Sequence, residues 1–123
     1  MFVARRSPQS YRGRVIGTGH CAPFVQRVTG APLVRQWRRG RRVRGANPPV
    51  AKYTAIATFG SNGQYTNRTD GTAHAAVLIS VWPDGLRVWD AWIGQPVHQR
   101  TIRFRNGSGR AVNDGDAFYV IVT

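Results

Sequence analysis

The stretch Gly17-Thr-Gly-His-Cys21-Ala-Pro-Phe-Val-Gln26 changes character at its midpoint. Up to His20 it continues the glycine-punctuated loop that starts at Tyr11, and Gly17 and Gly19 suit a chain that bends sharply before a new element. From the cysteine onward, Cys21, Phe24, Val25 and Val28 fall at i, i+3, i+4 and i+7, the spacing of one helix face. Pro23 lies in the first turn, where its missing N–H does no harm. Gly30, Ala31 and Pro32 supply the stop. The pattern predicts a helix of about ten residues with Cys21 at its N-terminus.

Downstream, Leu33–Trp37 reads as a second short turn or helix, and the arginine- and glycine-rich Arg38–Gly45 with Asn47-Pro48-Pro49 reads as loop. Ala55-Ile-Ala-Thr-Phe59 has strand character, and residues 60–71 form a polar loop. His74-Ala-Ala-Val-Leu-Ile-Ser-Val81 reads as a buried strand, apolar on both faces. Pro83-Asp84-Gly85 is a turn signal, and Leu86–Trp92 returns as its hairpin partner. Two further strands are expected near Val97–Phe104 and Ala117–Val122. Upstream, residues 1–10 are polar and arginine-rich and are expected to form a flexible tail, leaving 11–123 as one domain. A helix followed by a mostly antiparallel sheet makes an α+β domain.

At 123 residues, with 41% hydrophobic side chains, the chain suits a single core. No run approaches the roughly 20 apolar residues needed to span a bilayer. The N-terminus has no continuous apolar core or small-residue cleavage site, so the general secretory route is not expected to carry it. Seventeen Arg, one Lys, five Asp and no Glu give a net charge of +13. Such a chain is drawn to polyanions: nucleic acid, an acidic partner, or a carboxylate- and phosphate-rich bacterial envelope.

The single cysteine excludes an intrachain disulfide. With only three scattered histidines beside it, no zinc-like spacing exists, and neither a metal nor another cofactor is expected. A lone Cys is either a small buried hydrophobe or a reactive group. Cys21 sits on the apolar stripe, which favours the first reading. Its place at a helix start favours the second, because free N–H groups and the helix dipole stabilise thiolate and can hold an oxyanion. A histidine opening a strand, as His74 does, is what a Cys–His pair requires.

Gly17-Thr-Gly-His-Cys21-Ala-Pro-Phe-Val-Gln, Trp37-Arg-Arg-Gly40, Ala55–Phe59, His74-Ala-Ala and Val88-Trp-Asp-Ala-Trp92 follow one another in that order. From about Tyr11 to Tyr119 the chain resembles small bacterial proteins related to the NlpC-type and CHAP cysteine amidases. The resemblance implies a papain-like core in which Cys opens a helix and His opens the next long strand. It implies cleavage of amide bonds in peptidoglycan stem peptides, and several such relatives are type VI secretion effectors. That would suit delivery by a specialised secretion system, with an acidic immunity protein as a possible partner.

In NlpC-type and CHAP enzymes a polar residue on the strand after the His orients the imidazole, which by position is Asp90, with Gln95 in reserve. A three-residue loop at Pro83–Gly85 sets Asp90 against Leu78, four residues along from His74. That is roughly 13 Å, too far for a hydrogen bond unless a wider loop or a β-bulge closes the gap. Asp90 could instead be a buried acceptor. His20 stands where relatives often carry Gln; it either helps the oxyanion hole or is a solvated loop residue. Tyr11 is the counterpart of a tyrosine whose OH lies near the nucleophile in some NlpC-type enzymes. His98 is expected on the surface.

Arg38, Arg39, Arg41 and Arg42 crowd around Trp37 as a candidate anion-binding surface, with a solvated loop and a core Trp37 as the alternative. Two functional classes therefore stand: a cysteine amidase acting on stem peptides, and a non-enzymatic basic module for nucleic acid or an acidic protein. A deamidase or transglutaminase-like reaction would use the same catalytic groups.

Overall fold

In the computed structural model, which describes residues 1–123, the expected helix is α1, Cys21–Thr29. His20 at its N-cap is extended, and Gly30 at its C-cap takes φ 76° and returns its N–H to the Gln26 carbonyl. Ala22, Phe24 and Val25 are the buried face. The entry loop needs its glycines. Gly19 has φ 90° and is buried, and a Cβ there would stand 3.3 Å from Val15 and 3.4 Å from Ile93.

Six strands follow: β1 (Arg38–Arg42), β2 (Ala55–Ala57), β3 (Ala75–Trp82), β4 (Gly85–Trp92), β5 (Gln95–Arg103) and β6 (Tyr119–Val122). They make one sheet in the order β1-β6-β2-β3-β4-β5, and every neighbouring pair is antiparallel. Single-turn helices at Pro8–Tyr11, Val34–Gln36, Ala111–Asn113 and Gly115–Ala117 fill the connections. The fold is α+β, as expected.

The all-apolar reading of β3 has a direct cause. Its side chains alternate between two cores, one on each face of the sheet. Ala75 and Val77 join Phe24, Val25, Trp37 and Trp89 under α1. Ala76 and Leu78 join Ile56, Leu86, Val88, Ile102 and Phe118 on the far side. The pairing at β3–β4 is set by a two-residue turn, with Trp82 opposite Gly85, and by a register shift between Leu78 and Ser80.

Two expectations are corrected. Residues 1–10 are not a loose tail: Val3 bridges Thr54, the Ala4 N–H donates to the Tyr53 carbonyl, and the Phe2 carbonyl accepts from the Ala55 N–H. Ala4 is buried and Phe2 packs on the core. Arg38–Arg42 is an edge strand, not a loop. Arg and Gly are poor strand formers, but pairing with β6 decides the matter, and Gly40 lies so close that a Cβ would meet the Val120 carbonyl at 2.7 Å.

Candidate active site

A cleft of about 930 Å³ opens at the N-terminus of α1, with Cys21 and His74 both in its wall. Cys21 is half-buried. Burial alone would raise its thiol. Hydrogen bonding and charge from His74, the Tyr65 hydroxyl and the Ala75 N–H outweigh burial and hold the thiol below its ordinary value. Tyr65 places its hydroxyl 3.5 Å from Sγ. Burial and the neighbouring sulfur push the phenol upward, so it stays protonated. Its ring is fixed by Trp37, with centroids 4.8 Å apart, and Trp37 is itself pinned by donating Nε1–H to the Pro32 carbonyl at 2.9 Å.

His74 is buried at the entry to β3. Thr58 holds its backbone from both sides: the Thr58 N–H donates to the His74 carbonyl at 3.0 Å, and the His74 N–H donates to Thr58 Oγ1 at 3.0 Å. Its Nε2 lies 2.7 Å from Asp90 Oδ2, which leaves Nδ1 as the ring nitrogen free to serve the sulfur. Burial would lower the imidazole. Asp90 and Cys21, each by hydrogen bonding and by charge, raise it instead to about 9. Each group thus favours the charged form of the other, thiolate beside imidazolium.

Asp90 is fully buried, yet its carboxyl is held below the usual range. Burial works against this, and the His74 hydrogen bond and charge, with the guanidinium of Arg100, overcome it. Arg100 Nε donates to the same Oδ2 at 2.6 Å and its Nη2 to the Val112 carbonyl at 3.1 Å. The 13 Å gap expected between His74 and Asp90 does not exist. The turn is tighter by one residue, and the irregularity at Ile79 moves the pairing by one more. Continuing the Val77–Trp89 pairing by one residue puts Asp90 across from Ala76, two residues from His74 instead of four.

The other expected positions divide. His20 lines the cleft and is exposed, with no capping hydrogen bond. Tyr11 is not among the cleft residues; its ring meets Phe24 edge-on at 6.3 Å, and the hydroxyl beside the sulfur is that of Tyr65. Gln95 donates its amide to the Pro96 carbonyl at 2.9 Å and does not line the cleft. His98 is not a free surface group: it pairs with Asp90 across β4–β5, and its Nε2 lies 3.0 Å from Asp90 Oδ1 without the alignment of a hydrogen bond.

None of Arg38, Arg39, Arg41 and Arg42 lines the cleft. Arg42 and Arg44 are tied to Asp116 at 2.6 and 2.8 Å, and Arg38 and Arg41 donate to backbone carbonyls. Trp37 is wholly buried. Tyr65, Thr58 and Arg100 are functional candidates that sequence reasoning missed. Thr58 lay inside a recognised motif, but Tyr65 sat in a polar loop and Arg100 among seventeen arginines, with nothing local to mark either.

One helix opened by a cysteine, laid on a six-stranded antiparallel sheet with a histidine at the mouth of β3, is the architecture of a papain-like amidase effector. The sequence model of one such family, described as domesticated amidase effector 2, matches residues 2–121. The chain belongs to that family. It is 37% identical over 120 residues to domesticated amidase effector 2 of Ixodes scapularis, a match covering 93% of this chain and 80% of that protein. Among solved structures, type 6 secretion amidase effector 2 superposes with a TM-score of 0.80 at 25% identity, covering 98% of this chain and 93% of that one. No helix is long and apolar enough to cross a membrane.

Proposed function

We propose that this protein is a cysteine amidase that cleaves amide bonds of peptidoglycan stem peptides through an acyl-enzyme. The observation that carries the reading is the pairing of Cys21 with a His74 that Asp90 and Arg100 hold from behind, at the wall of an open cleft. The Cys21 thiolate attacks the amide carbonyl, and the Cys21 backbone N–H, one of the free donors of the first helical turn, receives the oxyanion. His74 gives its Nδ1 proton to the leaving amine. A water then attacks the thioester while neutral His74 takes up one of its protons, releasing the acid and restoring thiolate and imidazolium. Asp90 keeps the ring in the orientation that presents Nδ1 to sulfur.

The stem-peptide substrate is supported by family membership, and the net charge of +13 suits an anionic wall polymer. We infer an effector delivered to the wall of a target cell, in keeping with the secretion-effector name of the structural relative. The same charge would suit an acidic inhibitor protein. A purely basic binding module has no use for a buried Asp–His pair aimed at a low-pKa thiol, which weighs against the non-enzymatic alternative. Mass spectrometry of purified sacculi digested by wild type and by Cys21→Ala tests the reading. New amine and carboxyl termini within stem peptides, absent with Cys21→Ala, are the expected outcome; intact muropeptides with both would sink it.

A further inference from the structure

Four arginines line the cleft (Arg35, Arg68, Arg100 and Arg110), and no Asp or Glu joins them there. Two are already engaged. Arg100 serves Asp90 and the Val112 carbonyl, and Arg68 stands 3.8 Å from Asp70. Arg110 makes no ion pair within the chain. Its stem nevertheless has a built seat. A Cβ at Gly71 would fall 2.6 Å from Arg110 Cδ and 3.3 Å from its Nε, so the arginine lies across a glycine that no other residue could replace without displacing it. Gly71 also has φ 89°, and its carbonyl accepts from the Val112 N–H at 3.4 Å, tying the two segments together. Only two residues, Thr72 and Ala73, separate Gly71 from His74. Arg110 is exposed and its guanidinium is uncommitted, so it can turn to a ligand in the cleft, and its planar fork matches a carboxylate.

We propose that Arg110 is a carboxylate-recognition residue of the cleft, binding a free carboxylate of an anionic peptide on the His74 side of its scissile amide. That this peptide is the substrate rests on the hydrolase reading above; the carboxylate site itself does not. The test separates the two. Binding is measured by calorimetry on Cys21→Ala, which cannot turn over, with acetyl-L-Ala-γ-D-Glu-L-Lys-D-Ala and with the same peptide carrying carboxamides in place of both carboxylates. The carboxylate form should bind about tenfold more tightly, the effect of one charge-assisted pair. Arg110→Gln in that background should shrink the difference to less than about twofold, and Arg110→Lys should retain only part of it because it keeps the charge and loses the fork. Arg6→Gln, exposed and outside the cleft, should leave the difference intact. Equal or undetectable binding of the two peptides, or an unchanged preference in Arg110→Gln, overturns the proposal. Failure of the wild-type protein to cleave any stem peptide would remove the hydrolase reading while the binding difference still stood.

Discussion

Nε2 of His74 and Oδ2 of Asp90 meet at 2.7 Å across a diagonal of the β3–β4 ladder, from positions two residues out of step. Diagonal neighbours lie about 7–8 Å apart at the backbone, a span that an imidazole and a carboxylate can close together. The same oxygen receives Arg100 from β5 on the other side, so three adjacent strands converge on one buried carboxylate. Reach and rigidity thus come from the sheet, and the helix contributes only the sulfur and the donors around it.

Cys21 should be alkylated by iodoacetamide in the folded protein at neutral pH, faster than a thiol of ordinary pKa near 8.5. His74→Ala should slow the reaction. Tyr65→Phe, which keeps the packing on Trp37 and removes the hydroxyl 3.5 Å from Sγ, should slow it less, by about three- to tenfold. A cysteine that labels only in denaturant would show that Cys21 is core and end the hydrolase reading.

The pH dependence of kcat/KM should be a bell whose limbs belong to the Cys21–His74 pair. Protonation of the thiolate sets the acid limb, and loss of the His74 proton sets the basic limb near pH 9. Asp90→Asn removes the negative charge that retains that proton, so its basic limb should move down toward the ordinary histidine value of about 6.5. A basic limb unmoved in Asp90→Asn would show that Asp90 does not govern the imidazole.

Stability should follow the same groups with opposite signs. His74 is raised above its unfolded value of 6.5, so its contribution is full below that pH and lost as pH rises through about 9. Asp90 is lowered below 3.8, so its contribution is present above that value and lost as pH falls through the lower folded one. Asp90→Ala leaves the buried His74 and the half-buried Arg100 without their carboxylate and should cost about 3–5 kcal/mol at pH 7 in urea titrations; adding Arg100→Met should recover part of the loss. If the double variant is as unstable as the sum of the singles, the pair is not coupled.

Replacing Arg38, Arg39 and Arg41 by Gln should act on encounter with the polymer and leave the reaction untouched, because all three lie outside the cleft. Screening reaches about 8 Å at physiological ionic strength, so distant arginines steer approach without entering the transition state. Turnover of a small soluble stem peptide should barely change, while digestion of intact sacculi slows and loses much of its salt dependence. Loss of salt-dependent oligonucleotide binding in this variant, with no Cys21-dependent cleavage of any amide, would favour the nucleic-acid module instead.

What the sequence carried plainly was periodic. The i, i+3, i+4, i+7 stripe after Cys21 and the apolar run after His74 became α1 and β3, since each pattern states which side chains must be buried. What it did not carry depended on pairing between distant segments. One residue of turn length and one irregularity at Ile79 decide whether Asp90 can touch His74, and a one-residue slip would send its side chain to the other face of the sheet. Tyr65 reaches the sulfur from 44 positions away, an approach that no local motif encodes. Arg38–Arg42 failed as a loop because the partner that makes it a strand, Tyr119–Val122, lies at the far end of the chain.

That charged strand has a second effect. An unpaired sheet edge is an open invitation to another chain, and folded proteins that accept it polymerise. Here the outer strand is Arg38-Arg39-Gly40-Arg41-Arg42, with both arginine pairs exposed; its first half is partly covered, since Arg38 bridges Gln64 and the Arg39 N–H donates to the Gly63 carbonyl at 3.0 Å. Two copies meeting along it would set guanidinium against guanidinium, and like charges directly opposite one another destabilise a strand pair. The charge on this strand therefore works against edge-to-edge pairing where copies of a cationic protein gather on an anionic surface.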